Sequence, residues 1–81
     1  MANPLLTPTI LRSQRLALKL SQSALARLAD VRRPKINIFE LGGTSLSADE
    51  QHRIRQALQR EAEHLRQIST HFDFSWTGRL E

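Results

Sequence analysis

Cysteine is missing altogether from these 81 residues, which excludes disulfides and thiolate metal sites and fits a reducing compartment. Glycine and proline number three each, and no glycine-rich run of the kind that cradles phosphates occurs. His52, His64 and His71, with Glu61 and Glu63 nearby, lack the His-x-x-x-His or mixed thiolate spacing of a metal site and read as solvated helix residues. No nucleophile and base are arranged for catalysis, so neither an enzyme nor a cofactor is expected. No apolar run approaches the roughly 20 residues that span a bilayer, and MANPLLTP has neither the charged nor the apolar region of a secretory signal. The expectation is a soluble, cytoplasmic protein of one small domain, whose modest core would gain from dimer formation.

What is present is positive charge, unevenly placed. Residues 1–47 carry seven basic side chains (Arg12, Arg15, Lys19, Arg27, Arg32, Arg33, Lys35) against Asp30 and Glu40, a net of +5. Residues 48–81 carry five basic against six acidic, a net of −1. Such an excess is the footprint expected of a protein that meets a polyanion, and equally of an ordinary solvated face.

The excess coincides with the most patterned stretch, SQSALARLADVRRPKINIFELG, residues 21–42. Ser21 can cap a helix whose apolar face is Leu25, Ala26, Leu28 and Ala29. Asp30 interrupts that pattern. Arg32 and Arg33 precede Pro34, which is tolerated in a first helical turn, and Ile36, Phe39 and Leu41 recur near helical spacing until Gly42 and Gly43 end the element. Two short helices across a turn of about three residues, the second basic, form a helix-turn-helix pattern. Upstream, Thr7 and Pro8 mark the start of a helix running to about Lys19, with Leu11, Ala17 or Leu18, and Leu20 towards the core. Residues 1–6 read as an arm. Downstream, Ser47 and Glu50 have capping-box spacing.

The ordered set Leu20-Ser21-Gln22, Leu25-Ala26, Val31, Ile36, Phe39-Glu40 and Gly42 closely resembles the phage lambda repressor and Cro type of helix-turn-helix, the XRE family, from about Ile10 to about Leu58. The resemblance implies double-stranded DNA as partner, with the second helix of the motif entering the major groove. Arg33 stands where family members commonly read a base, and its fork suits guanine O6 and N7, while Arg32 would reach a base or a phosphate. On the same outward face Asn37 would address adenine, Ile38 a thymine methyl, and Lys35 a base or, better, a phosphate. Gln22 matches a phosphate-binding glutamine, and Thr44 and Ser45 would add hydroxyl contacts to the backbone. The resemblance also implies a structural ion pair between Arg15 and Glu40. Two departures stand out: Lys19 and Asp30 occupy positions where the family commonly has glycine. Asp tolerates positive φ better than most residues; Lys19 has no such explanation.

Residues 59–69 contain no helix breaker, so helicity should continue past the helix-turn-helix domain of residues 7–58. Leu58, Leu65, Ile68 and Phe72 fall at offsets of seven, three and four, an apolar seam that either folds back or, the favoured reading, packs against a second copy. Phe72, Phe74 and Trp76 then alternate with polar residues in a strand-like pattern, and a lone strand needs a partner. That partner is the same segment of a second subunit or another protein, unless the aromatics cover the monomer core. Residues 59–81 are therefore expected to serve dimerisation or partner binding. The expected fold is all-α: a compact four- to five-helix lambda-repressor-like DNA-binding domain with an extended C-terminal helix and a short aromatic tail. The expected function is a homodimeric, sequence-specific transcriptional repressor reading an inverted repeat. The alternative is an antitoxin or a phage or plasmid accessory protein whose aromatic tail binds a protein partner.

Overall fold

A computed structural model describes the backbone of residues 6–80 and the side chains of residues 6–68. Four helices follow one another, α1 (Pro8–Ala17), α2 (Gln22–Ala29), α3 (Arg33–Glu40) and α4 (Ala48–Leu80), and no strand occurs among the described residues. α2 packs against both α3 and α4, and α1 against α3.

The helix starts follow from local chemistry. Thr7 Oγ1 accepts from the Ile10 amide at 3.1 Å, ahead of Pro8 in the first turn. Ser21 Oγ accepts from the Ala24 amide at 3.0 Å. Ser47 and Glu50 form a reciprocal capping box: the Glu50 amide donates to Ser47 Oγ at 3.0 Å and the Ser47 amide to Glu50 Oε1 at 2.9 Å. Each device satisfies amides that a helix leaves unpaired at its first turn.

The three short helices all end on a residue in the left-handed region: Lys19 (φ 59°), Asp30 (φ 55°) and Gly42 (φ 82°). In each case the next amide reaches back five residues, Leu20 to the Arg15 carbonyl at 3.0 Å, Val31 to Ala26 at 3.1 Å and Gly43 to Ile38 at 2.9 Å. This is the Schellman arrangement, which satisfies the last carbonyls by turning the chain sharply. The role of Lys19 is thereby explained: it fills a position that geometry reserves for glycine, and ends α1 at Ala17, two residues sooner than the sequence suggests.

Each helix contributes one of the most deeply buried large side chains, Leu11, Leu25, Ile36 and Ile54. Around them lie Leu20, Ala26, Ala29, Val31, Phe39, Leu46, Ala57 and Leu58. Leu6 also belongs to this core, with its amide making a long contact, 3.5 Å, to Gln51 Oε1 of α4. The arm therefore does not include Leu6; residues 1–5 lie outside the described residues. Leu28 and Leu41, expected on the apolar faces of their helices, are exposed. Leu28 lies off the arc set by Leu25, Ala26 and Ala29, and Leu41 is the C-cap beyond the last turn of α3.

At the C-terminal end the strand-like alternation of Phe72, Phe74 and Trp76 does not produce a strand, since the backbone there is the last part of α4. A helix closes its own amide–carbonyl bonds, whereas a single extended segment has no neighbour to pair with. The side chains of Phe72, Phe74 and Trp76 lie outside the described ones. Leu58 is a core residue, not part of an exposed seam. Beyond it no described side chain is buried: Leu65 is half-buried and Ile68 exposed.

Candidate nucleic-acid interface

α3 is held to the rest of the molecule from its inner side and its C-terminal end. Ile36 and Phe39 enter the core, and Glu40 receives a two-pronged contact from Arg15 of α1, Nε to Oε2 at 2.8 Å and Nη2 to Oε1 at 2.9 Å. The two side chains are 10% and 4% exposed. Arg15 Nη1 also donates to the Leu20 carbonyl at 2.9 Å, so one guanidinium joins the end of α1, the turn before α2 and the end of α3. Burial disfavours the charged form of Glu40, but the Arg15 and Gln22 hydrogen bonds and the Arg15 charge outweigh it and lower its pKa. The Glu40 hydrogen bond correspondingly raises that of Arg15, against the effect of burial. The implied ion pair of Arg15 and Glu40 is present.

Gln22, at the first position of α2, donates through Nε2 to Glu40 Oε1 at 3.2 Å and to Asn37 Oδ1 at 3.3 Å. Asn37 thus turns its acceptor inward to α2. Lys35 is also engaged: its Nζ lies 2.8 Å from Glu50 Oε1 and 3.1 Å from Oε2. That lysine and the capping-box amide of Ser47 lower the pKa of Glu50. A carboxylate that begins α4 therefore neutralises a cation on α3.

Arg32 and Arg33 differ from these. Both are exposed, and among the described residues neither side chain has a hydrogen-bond or ion-pair partner, although the Arg32 carbonyl accepts from the Lys35 and Ile36 amides. Arg32 is the N-cap of α3 and Arg33 its first residue. Next to them is an open depression of about 390 Å³ bounded by Arg32, Pro34, Lys35, Ile38 and Thr44. Thr44 makes only a local contact, Oγ1 to the Ser45 carbonyl at 3.4 Å, and Ser45 is exposed. The structure thus gathers Arg32, Lys35, Ile38 and Thr44 around one depression, leaves Arg33 exposed at the start of α3 outside its lining, and ties Gln22 and Asn37 into a hydrogen-bond network with Glu40.

Arg53 of α4 was not singled out from the sequence. Its Nη1 donates to the Ala29 carbonyl at 3.3 Å and to the Asp30 carbonyl, and its Nε to Asp49 Oδ2 at 2.9 Å. It thereby covers the C-terminal carbonyls of α2 and fixes the turn that aims α3. The only sequence signal was the i, i+4 spacing of Asp49 and Arg53, which many solvated helix faces share. A second groove, about 560 Å³, runs between the end of α1 and α4, lined by amides, Leu18, His52, Arg55 and Leu58. No group of three or more His, Cys, Asp or Glu able to hold a metal occurs among the described residues, and none of their helices is long and apolar enough to cross a membrane.

No protein-family model and no curated protein matches the chain.

Proposed function

We propose that the chain is a sequence-specific double-stranded DNA-binding regulator of the lambda repressor and Cro type, which seats α3 in the major groove. The observation that carries this reading is the contrast along α3. Its inner side and far end are fastened to α1, α2 and the core, while Arg32 and Arg33 at its near end are exposed with no anionic partner among the described residues. Cations held on a rigid element and left unneutralised carry a desolvation cost only when a polyanion arrives, and a rigid mount gives that contact a defined register. An α-helix with its side chains is about 10–12 Å across, which fits the roughly 12 Å width of the major groove.

So short a helix reads only a few base pairs, and a second copy would double the site. A twofold homodimer would match an inverted repeat with half-site centres about 34 Å apart. The part of α4 beyond Leu58 supplies a surface for that pairing, since Leu65 and Ile68 lie on it without entering the core. The same segment also favours the second reading, in which a protein partner binds there and DNA binding is subordinate.

The test is a fluorescence-anisotropy titration of the DNA upstream of the chain's own gene against a scrambled duplex at physiological salt, with Arg33→Ala in parallel. A preference of at least tenfold that Arg33→Ala erases supports specific reading through α3. Equal, weak binding of both duplexes that is indifferent to Arg33 means that the operator lies elsewhere or that the helix-turn-helix serves a protein partner, because any basic protein binds DNA weakly through phosphate charge.

A further inference from the structure

We propose that the groove between the end of α1 and α4 is a binding site for a small organic anion, a carboxylate or phosphate carried on a flat, hydrogen-bonding body. None of the residues that line it belongs to α3, so the inference stands apart from the reading of the protein as a DNA-binding regulator.

Among the described residues four basic side chains are buried or half-buried, those of Arg15, Lys35, Arg53 and Arg55. The first three each meet a carboxylate: Glu40 at 2.8 Å, Glu50 at 2.8 Å and Asp49 at 2.9 Å. Arg55 is the exception. Its side chain has no hydrogen-bond or ion-pair partner among the described residues, and no Asp or Glu lines the groove that it borders. A cation drawn part of the way out of water without a counter-charge carries a standing cost, which an arriving oxyanion removes. The guanidinium fork grips a carboxylate or a phosphate with two parallel hydrogen bonds.

The rest of the lining determines what that oxyanion is attached to. The groove holds about 560 Å³, a volume in the range of small-molecule sites and larger than one bare oxyanion fills. Along α4 it extends from His52 to Gln59, a helical rise of about 10 Å. Gln14 from α1 and Gln56 and Gln59 from α4 each bring a donor and an acceptor to it. Leu18 and Leu58 supply the apolar part of its floor. A wholly apolar molecule would cover the amides without pairing them. A neutral one would leave Arg55 uncompensated, and a cation would be repelled by it. A planar ring with polar edges meets both demands, with its face on the leucines, its edges at the amides and its anionic group on Arg55.

The test follows amide chemical shifts of the isotopically labelled full chain during titration with two organic anions, adenosine monophosphate for the phosphate head and hydroxybenzoate for the carboxylate. Adenosine and hydroxybenzamide serve as their neutral counterparts, and inorganic phosphate as the bare ion. At least one organic anion should saturably displace the amides of residues 14–18 and 52–59. It should bind about tenfold more tightly than its neutral counterpart and than inorganic phosphate, as one charge-assisted contact predicts. The tighter of the two identifies the head as phosphate or carboxylate. Arg55→Gln, shown to be folded by circular dichroism, should weaken that binding about tenfold, and Arg33→Ala should leave it unchanged. The site is wrong if neither organic anion saturates these amides in the millimolar range, or if Arg55→Gln binds as tightly as the native chain. It is equally wrong if the displaced amides centre on Arg32 and Arg33, which would reveal only the attraction of any anion to the basic surface. Each of these outcomes leaves the preference for DNA sequence, measured on α3, to be decided by itself.

Discussion

Lys19 sits at φ 59°, a conformation that costs a β-carbon-bearing residue about 1–2 kcal/mol and glycine almost nothing. Lys19→Gly relieves that strain but loosens the unfolded chain. The expected result is a net gain of about 0.5–1 kcal/mol, read as a melting temperature several degrees higher by circular dichroism. Glu40 presents the opposite case. Its folded-state pKa is lowered from the ordinary 4.5, so its contribution is fully present above that value and is lost as pH falls through the folded one. Glu40→Gln leaves Arg15 without its counter-charge, and at pH 7 should cost about 3 kcal/mol. Urea titrations from pH 7 to pH 3 should show the gap between native and variant closing below about pH 4.5; a gap constant over that range would contradict the pairing. At Glu50, exchange for Gln keeps an oxygen for the Ser47 amide while freeing Lys35. If Lys35 then reaches a phosphate, the plot of log affinity for DNA against log salt should steepen by about 0.9; an unchanged slope would mean that Lys35 stays remote from the backbone.

Among the elements, the turn from α2 to α3 depends on α4. The carbonyls of Ala29 and Asp30 receive Arg53, a charge-assisted contact about a third exposed on the arginine side. Arg53→Ala should lower stability by about 1 kcal/mol. Because the turn aims α3, hydrogen exchange should quicken at Val31 and Lys35 more than at Leu11; uniform acceleration would indicate that Arg53 acts through Asp49 alone. Three helix starts and the stop at Gly42 are legible in the sequence, since Thr7-Pro8, Ser21, Ser47 with Glu50, and Gly42 act within a few residues of themselves; the stop at Lys19 is not, because lysine carries no preference for positive φ. What Arg53 does at the turn is not legible there, because the Ala29 and Asp30 carbonyls lie more than 20 positions away and a carbonyl at a helix end has no side-chain signature.

On the scale of the whole molecule, α4 divides at Leu58. Before it, Ile54, Ala57 and Leu58 close the core; after it, the helix continues to Leu80 without a buried described side chain. Some 33 residues of helix measure about 50 Å, longer than three helices of 8 to 10 residues can cover. If the far half pairs two copies, Leu65→Glu with Ile68→Glu should yield monomers in sedimentation velocity, with the melting temperature then independent of concentration. A pair of glutamates that leaves the dimer intact would assign its interface elsewhere.

The sequence by itself determined that four helices form, the side-chain caps that start three of them, most of the apolar residues that meet in the core and the basic character of the α3 surface. Each of these depends on side-chain chemistry and spacing within a few residues. Only the tertiary structure decided which polar groups on that surface remain available. Gln22 and Asn37 bond each other and Lys35 is held by Glu50, pairings set by how α2, α3 and α4 cross, whereas the side chains of Arg32 and Arg33 are exposed and meet no anionic partner among the described residues. It also decided that Leu6 and Leu58 are core and that the aromatic segment continues a helix. A period-2 pattern is only a propensity, and a single copy has no second strand to satisfy its backbone, while a helix needs none.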